Sequence, residues 1–119
     1  MIDLLLPPPM LVGVGGALGA VLRYAVGEAV RTEGYPTGTL VVNVLGTFVL
    51  AALTFAGASD DAMLLLGTGA CGAFTTFSSF SVDVVGLVEN ERFGAAAFHA
   101  LGNLVGAGVA IGLAWLLVG

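Results

Sequence analysis

Four apolar stretches, each about the length that spans a bilayer, constrain this chain more than any other feature. They run Met10 to Val30, Thr37 to Ala58, Ala62 to Val82 and Gly94 to Val118. A hydrocarbon core about 30 Å thick takes about 20 helical residues to cross, and only closed hydrogen-bonding structures survive there. The strict alternation of a membrane β-barrel is absent, and the runs are twice the length of barrel strands. With 58% hydrophobic and 9% charged residues and a mean hydropathy of +1.07, the composition lies far outside soluble usage. The expectation is an all-α integral membrane protein of one domain over residues 1–119, with helices over about 10–30, 37–58, 62–84 and 94–118.

Within that frame the third stretch is anomalous. Gly72-Ala-Phe-Thr-Thr-Phe-Ser-Ser-Phe80 combines helix-weakening residues, four hydroxyls and three phenyl rings at bilayer depth. Such an interruption is tolerated only where it is buried in protein or lines a polar cavity. A break in helix 3 follows, with something polar bound or passing there.

The other polar residues form stripes. Thr39, Asn43 and Thr47 lie at i, i+4 and i+8 on helix 2, and His99 and Asn103 share the i, i+4 spacing on helix 4. Thr is common in membrane helices as a back-bonding residue, Asn43 also suits a role as interhelical glue, and His99 reads either as a satisfied interior histidine or as a proton carrier. Asp83, near the end of the third apolar run, reads equally as an interfacial or a buried carboxylate. Arg23, late in helix 1, either snorkels to the interface or draws anions to a pore mouth. Gly15-x-x-x-Gly19, Gly102-x-x-x-Gly106 and Gly108-x-x-x-Gly112 allow close backbone approach, though 19 glycines produce such spacings by chance. Cys71 reads as a small packing residue.

Charge bounds the remaining possibilities. Three arginines, no lysine and eight acids give a net charge of −5, which argues against nucleic acid as a partner. Arg31 and Arg92 fall after helices 1 and 3, so the positive-inside rule favours both termini outside, on a margin of two residues. The N-terminal segment lacks a basic n-region; it reads as an interfacial lead-in whose prolines delay helix 1 until Met10. No P-loop pattern is present and no nucleophile has a base partner, so no enzymatic chemistry is expected. No cluster has transition-metal spacing.

Gly15-Gly-x-x-Gly-Ala-x-x-Arg-Tyr24, Gly38-Thr-Leu-Val-Val-Asn-Val-Leu-Gly-Thr-Phe48 and Gly72-x-x-Thr-Thr-Phe-Ser-x-Phe80, in that order, closely resemble the Fluc/CrcB fluoride channel family over nearly the whole chain. The resemblance implies a passive fluoride-selective channel built as an antiparallel, dual-topology dimer, with two pores and a structural Na⁺ that is not transported. It implies that Asn43 donates amide hydrogens to fluoride, that Phe77 and Phe80 meet the anion with their ring edges, and that Ser78 and Ser79 lie between them on the pathway. The main-chain carbonyls of Gly72 and Thr75, from both subunits, would hold Na⁺. Where this chain has Ala73, Asp83 and His99 the family usually has Gly, Glu and Tyr, and Asn103 and Ala107 replace small hydroxyl residues. Arg23, Asp83, His99 and Asn103 are therefore candidates for the pore or its vestibule, and His99 brings a pH dependence that a tyrosine would not. The partners implied are fluoride, membrane lipid and a second subunit, either an identical chain or an oppositely oriented paralogue, in the cell membrane.

Two other functions fit the size. A small proton-coupled multidrug-type exporter would want a membrane-embedded acid early in the chain, and here the first acids in the spans are Glu28 and Asp83 at span ends. A non-transporting assembly subunit would use the glycines and polar glue but has no use for Phe77-Ser-Ser-Phe80.

Overall fold

The computed structural model describes residues 6–119; the lead-in proposed for the N-terminus falls mostly outside them. Its elements are α1 (Pro8–Ala29), α2 (Thr37–Phe55), α3 (Asp60–Ala62), a π-helical segment Met63–Cys71, α4 (Gly72–Phe74), α5 (Phe77–Glu89) and α6 (Phe93–Val118). No strand occurs among the described residues beyond an isolated Thr32–Tyr35 bridge. Among the described residues four helical runs are long and apolar enough to cross a membrane: Pro8–Ala29, Thr37–Phe55, Asp60–Glu89 and Phe93–Val118.

The ends of these runs are set by local chemistry that the hydropathy pattern does not carry. Helix α1 starts at Pro8, two residues before the expected Met10, because proline's missing N–H and fixed φ suit the first helical turn. Helix α2 stops at Phe55 instead of Ala58. Gly57 adopts φ 71°, and its N–H donates to Thr54 O while that of Ala58 donates to Leu53 O. This is a complete Schellman closure. Ser59 then caps the third run by accepting from Ala62 N at 3.2 Å, with Asp60 and Asp61 in the first turn, where the helix dipole favours acids.

The third run extends to Glu89, past the expected residue 84. Glu91 at φ 58° supplies the same closure, with Glu91 N donating to Val88 O and Arg92 N to Leu87 O. A non-glycine residue there costs about 1–2 kcal/mol. The extension moves Asp83 from a helix end to the middle of α5. Arg92 also donates to Gly34 O, tying the α5–α6 turn to the α1–α2 loop at one end of the bundle.

Two seams hold the bundle together. Helix α1 packs against the π-helical segment and α4, while α6 packs against α2 and α5. Gly15 and Gly19 make the first seam possible. A Cβ on Gly15 would lie 1.8 Å from Leu65 O, and one on Gly19 would lie 2.1 Å from Ala70 O. The other glycine pairs behave differently: Gly106 faces Val44, whereas Gly108 and Gly112 meet nothing within 4 Å. Cys71 is buried, as a packing residue should be.

Candidate functional site

The helical ladder is broken at Thr75 and Thr76, which take extended conformations with φ −85°, ψ 162° and φ −152°, ψ 123°. Gly46 of α2 permits the break to approach, since a Cβ there would lie 2.3 Å from Thr75 Cγ2. Thr76 starts the new helix by accepting from Ser79 N at 3.0 Å, an N-cap that helps stabilise the resumed turn. Asn43 stitches the break to α2. Its Oδ1 accepts from Thr76 N at 2.8 Å, and its Nδ2 donates to Thr76 O at 3.1 Å. That amide also donates to Asn103 Oδ1 at 2.9 Å, so both of its hydrogens are engaged.

The break has a consequence for carbonyls. In a continuous helix Thr76 N would donate to Gly72 O and Ser79 N to Thr75 O. Here Asn43 Oδ1 takes the first N–H and Thr76 Oγ1 takes the second. Gly72 and Thr75 line one cavity of about 430 Å³ together with Asn43 and Thr47. Two main-chain oxygens deprived of their helical donors are the hard, neutral ligands that a monovalent cation takes.

On the other side of Asn43 lies a second cavity of about 400 Å³, lined by Asn43, Thr76, Phe77, Phe80 and Asn103 among others. The Phe77 and Phe80 ring centroids are 6.0 Å apart. Phe77 is 79% exposed in the single chain, whereas Phe80 is half-buried against His99, with centroids 5.3 Å apart. Ser78 and Ser79 do not line this cavity. Ser78 is exposed and shares a 3.3 Å hydrogen bond with Thr76 Oγ1. Ser79 faces a third, larger cavity of about 520 Å³, together with Arg23, Arg31, Tyr35, Thr39 and Asp83.

That larger cavity opens beside the loop end of the bundle and carries both signs of charge. Arg31 pairs with Glu28 at 3.5 Å, with both side chains well exposed, a contact that contributes little. Asp83 accepts from Thr39 Oγ1 at 2.7 Å and lies 3.6 Å from Nε2 of the fully buried His99. Tyr35 packs edge-on against His99, and burial pushes its phenol up from its ordinary value, so it is neutral across physiological pH.

Apart from Ser78 and His99, which line none of these cavities, the residues named from sequence fall into three groups. Asn43, Phe77, Phe80 and Asn103 share one cavity, Gly72 and Thr75 the next, and Arg23, Ser79 and Asp83 the third. His99 bridges the first and third through Asn103 and Asp83. Thr76 and Tyr35 were not singled out by the sequence. The spacing of Thr76 to Ser79 is an N-cap pattern that could have marked the former; Tyr35 carries no such signal.

Residues 10–118 match the family described as CrcB-like protein, Camphor Resistance (CrcB). The chain is 71% identical over 112 residues, 94% of each chain, to a protein of Halobacterium salinarum named Fluoride-specific ion channel FluC 1. It is 57% identical over 108 residues, 91% of each chain, to Fluoride-specific ion channel FluC 2 of Haloarcula marismortui. With Fluoride-specific ion channel FluC of Agrobacterium fabrum the identity is 46% over 103 residues, covering 80% of this chain and 82% of the relative.

Proposed function

The chain belongs to the CrcB-like family, and from that premise we infer that it is a fluoride-selective passive channel of the cell membrane, with no enzymatic step. One observation carries the reading: at the helix break, Asn43 and the Phe77–Phe80 pair face a single cavity inside a membrane-spanning bundle. Fluoride is small and strongly hydrated, so a pore must replace its water with donors. An amide N–H is one such donor, and the edge of a phenyl ring, the positive part of its quadrupole, is another. Selectivity over larger halides then follows from how closely these groups can surround the ion.

Sodium fits the same break. The carbonyls of Gly72 and Thr75 have lost their helical N–H partners to Asn43 and Thr76, and two chains related by a twofold axis would present four such oxygens. A bound Na⁺ supplies the charge that holds those dipoles together, and Thr75 Oγ1, donating to Cys71 O at 3.0 Å, keeps the local turn in place. The exposure of Phe77 in the single chain is what a second, oppositely oriented subunit would cover, in keeping with the inverted symmetry that puts transport sites near the midplane.

Export needs no energy input. Fluoride enters acidified surroundings as neutral HF, loses its proton inside and is trapped as the anion. An inside-negative potential then drives it out, at about 2.3 kcal/mol per charge per 100 mV. In liposomes carrying the purified chain, fluoride efflux is expected to be much faster than chloride efflux. Equal rates for the two anions would overturn the reading.

A further inference from the structure

The polarity of one hydrogen-bonded chain is set by a single backbone N–H. Because Thr76 N donates to Asn43, the accepting atom is Oδ1 and the other end of that amide is Nδ2, a donor. Asn43 Nδ2 faces Asn103, which must therefore turn Oδ1 toward it. Asn103 Nδ2 then donates to His99 O at 2.8 Å, one helical turn back, and lies 3.3 Å from His99 Nδ1. An NH₂ group beside Nδ1 requires that nitrogen to be the acceptor, so the imidazole proton resides on Nε2. Nε2 in turn lies 3.6 Å from Asp83 Oδ2, and no hydrogen-bond partner among the described residues satisfies it.

We propose that His99, acting through Asn103, sets how many amide hydrogens Asn43 offers to an anion, and that protonating His99 frees one of them. This rests on the channel reading above and goes beyond it. When Nδ1 gains a proton it becomes a donor, and two donors then face each other across 3.3 Å. That repulsion drives the Asn103 side chain out of its present rotamer, with loss of its 2.8 Å bond to His99 O, and its Oδ1 leaves Asn43 Nδ2 with it. Asn43 loses its partner on α6 but keeps both bonds to Thr76, so the amide stays in position with one hydrogen directed into the cavity that holds Phe77 and Phe80.

His99 is placed for such a role. It is fully buried, and the titratable groups that face it are Asp83 from α5 and Tyr35 from the loop. Helix α2, also packed on α6, carries no titratable side chain; its polar groups here are Thr39 and Asn43. Asp83, already held by Thr39 Oγ1, is the counter-charge for an imidazolium. The Tyr35 ring stands at 86° to the imidazole, its hydroxyl has no hydrogen-bond partner among the described residues, and it stays neutral. His99 is a positioning residue; it does not line the cavity itself.

Fluoride efflux from liposomes, with the rate of protein-free vesicles subtracted, is measured at about pH 8 and about pH 5.5, a range that spans histidine titration. The parent is expected to conduct about three- to tenfold faster at the lower pH, the fold-change equivalent to one net hydrogen bond. His99→Gln and Asn103→Ala should each be flat with pH, whatever their basal rate. Asn103→Ala separates the relay from a field effect, because it leaves the imidazole in place. A flat parent profile, or an Asn103→Ala ratio equal to the parent's, would overturn the proposal. His99 is the chain's only histidine, so ¹⁵N resonances of the parent ring report it without ambiguity. The Nε2–H tautomer is expected at pH about 8, and the Nδ1–H tautomer would overturn the relay even if a variant failed to assemble. Absence of fluoride flux at both pH values would count against the channel reading instead, with the tautomer still deciding on the relay.

Discussion

The two seams of the bundle solve the same problem with opposite chemistry. Along α1, Gly15 and Gly19 bring backbone against the backbone of the π-helical segment, at separations where even one methyl group would collide. Along α2, α5 and α6, the helices meet through side-chain amides, a hydroxyl, a carboxylate and an imidazole. Lipid gives no hydrophobic reason for helices to associate, so close packing and hydrogen bonds are the forces available. The glycine seam uses the first and has no freedom to rearrange. The polar seam uses the second, and each of its members has a second protonation state, a second orientation or a second partner. On the proposed reading, ion handling falls on the polar side for that reason.

Substitutions should separate the seams by size of effect. Gly15→Ala puts a Cβ where Leu65 O now lies, and since backbone must shift to admit it, a stability loss of about 3 kcal/mol or more is expected. Thermal unfolding in detergent reads this as loss of the assembled species. Thr39→Val removes the donor to Asp83. Because Asp83 is partly exposed, water compensates, and the loss should be about 1 kcal/mol. Gly108→Ala, on an open face of α6, should change stability by less than about 0.5 kcal/mol. A larger loss there would mean that a second chain packs on that face.

The spans were legible because apolar length is a strong signal, and the polar stripe on α2 because its i, i+4 spacing survives in any helix. Their ends were not. Asp83 read as near a terminus, yet the apolar Val84-Val85 and Leu87-Val88 continue the helix until Glu91 adopts φ 58°. Identical Gly-x-x-x-Gly spacings proved to have different uses, since only the register between helices decides which glycines meet a neighbour. Gly15 and Gly19 do; Gly108 and Gly112 do not. Asn43 was picked out by type and position, but its bonds to Thr76 and Asn103 depend on three helices at once. The same holds for Thr39 and Asp83, 44 residues apart.

The central claim is that the polar seam conducts fluoride, and Asn43→Asp tests it most directly. This change keeps an acceptor for Thr76 N but replaces the donating NH₂ with negative charge beside Phe77 and Phe80. Fluoride efflux is to be measured on liposomes whose protein elutes as the parent assembly does. The account predicts a rate reduced by more than about tenfold, the equivalent of a lost charge-assisted hydrogen bond. Efflux at the parent rate would contradict it.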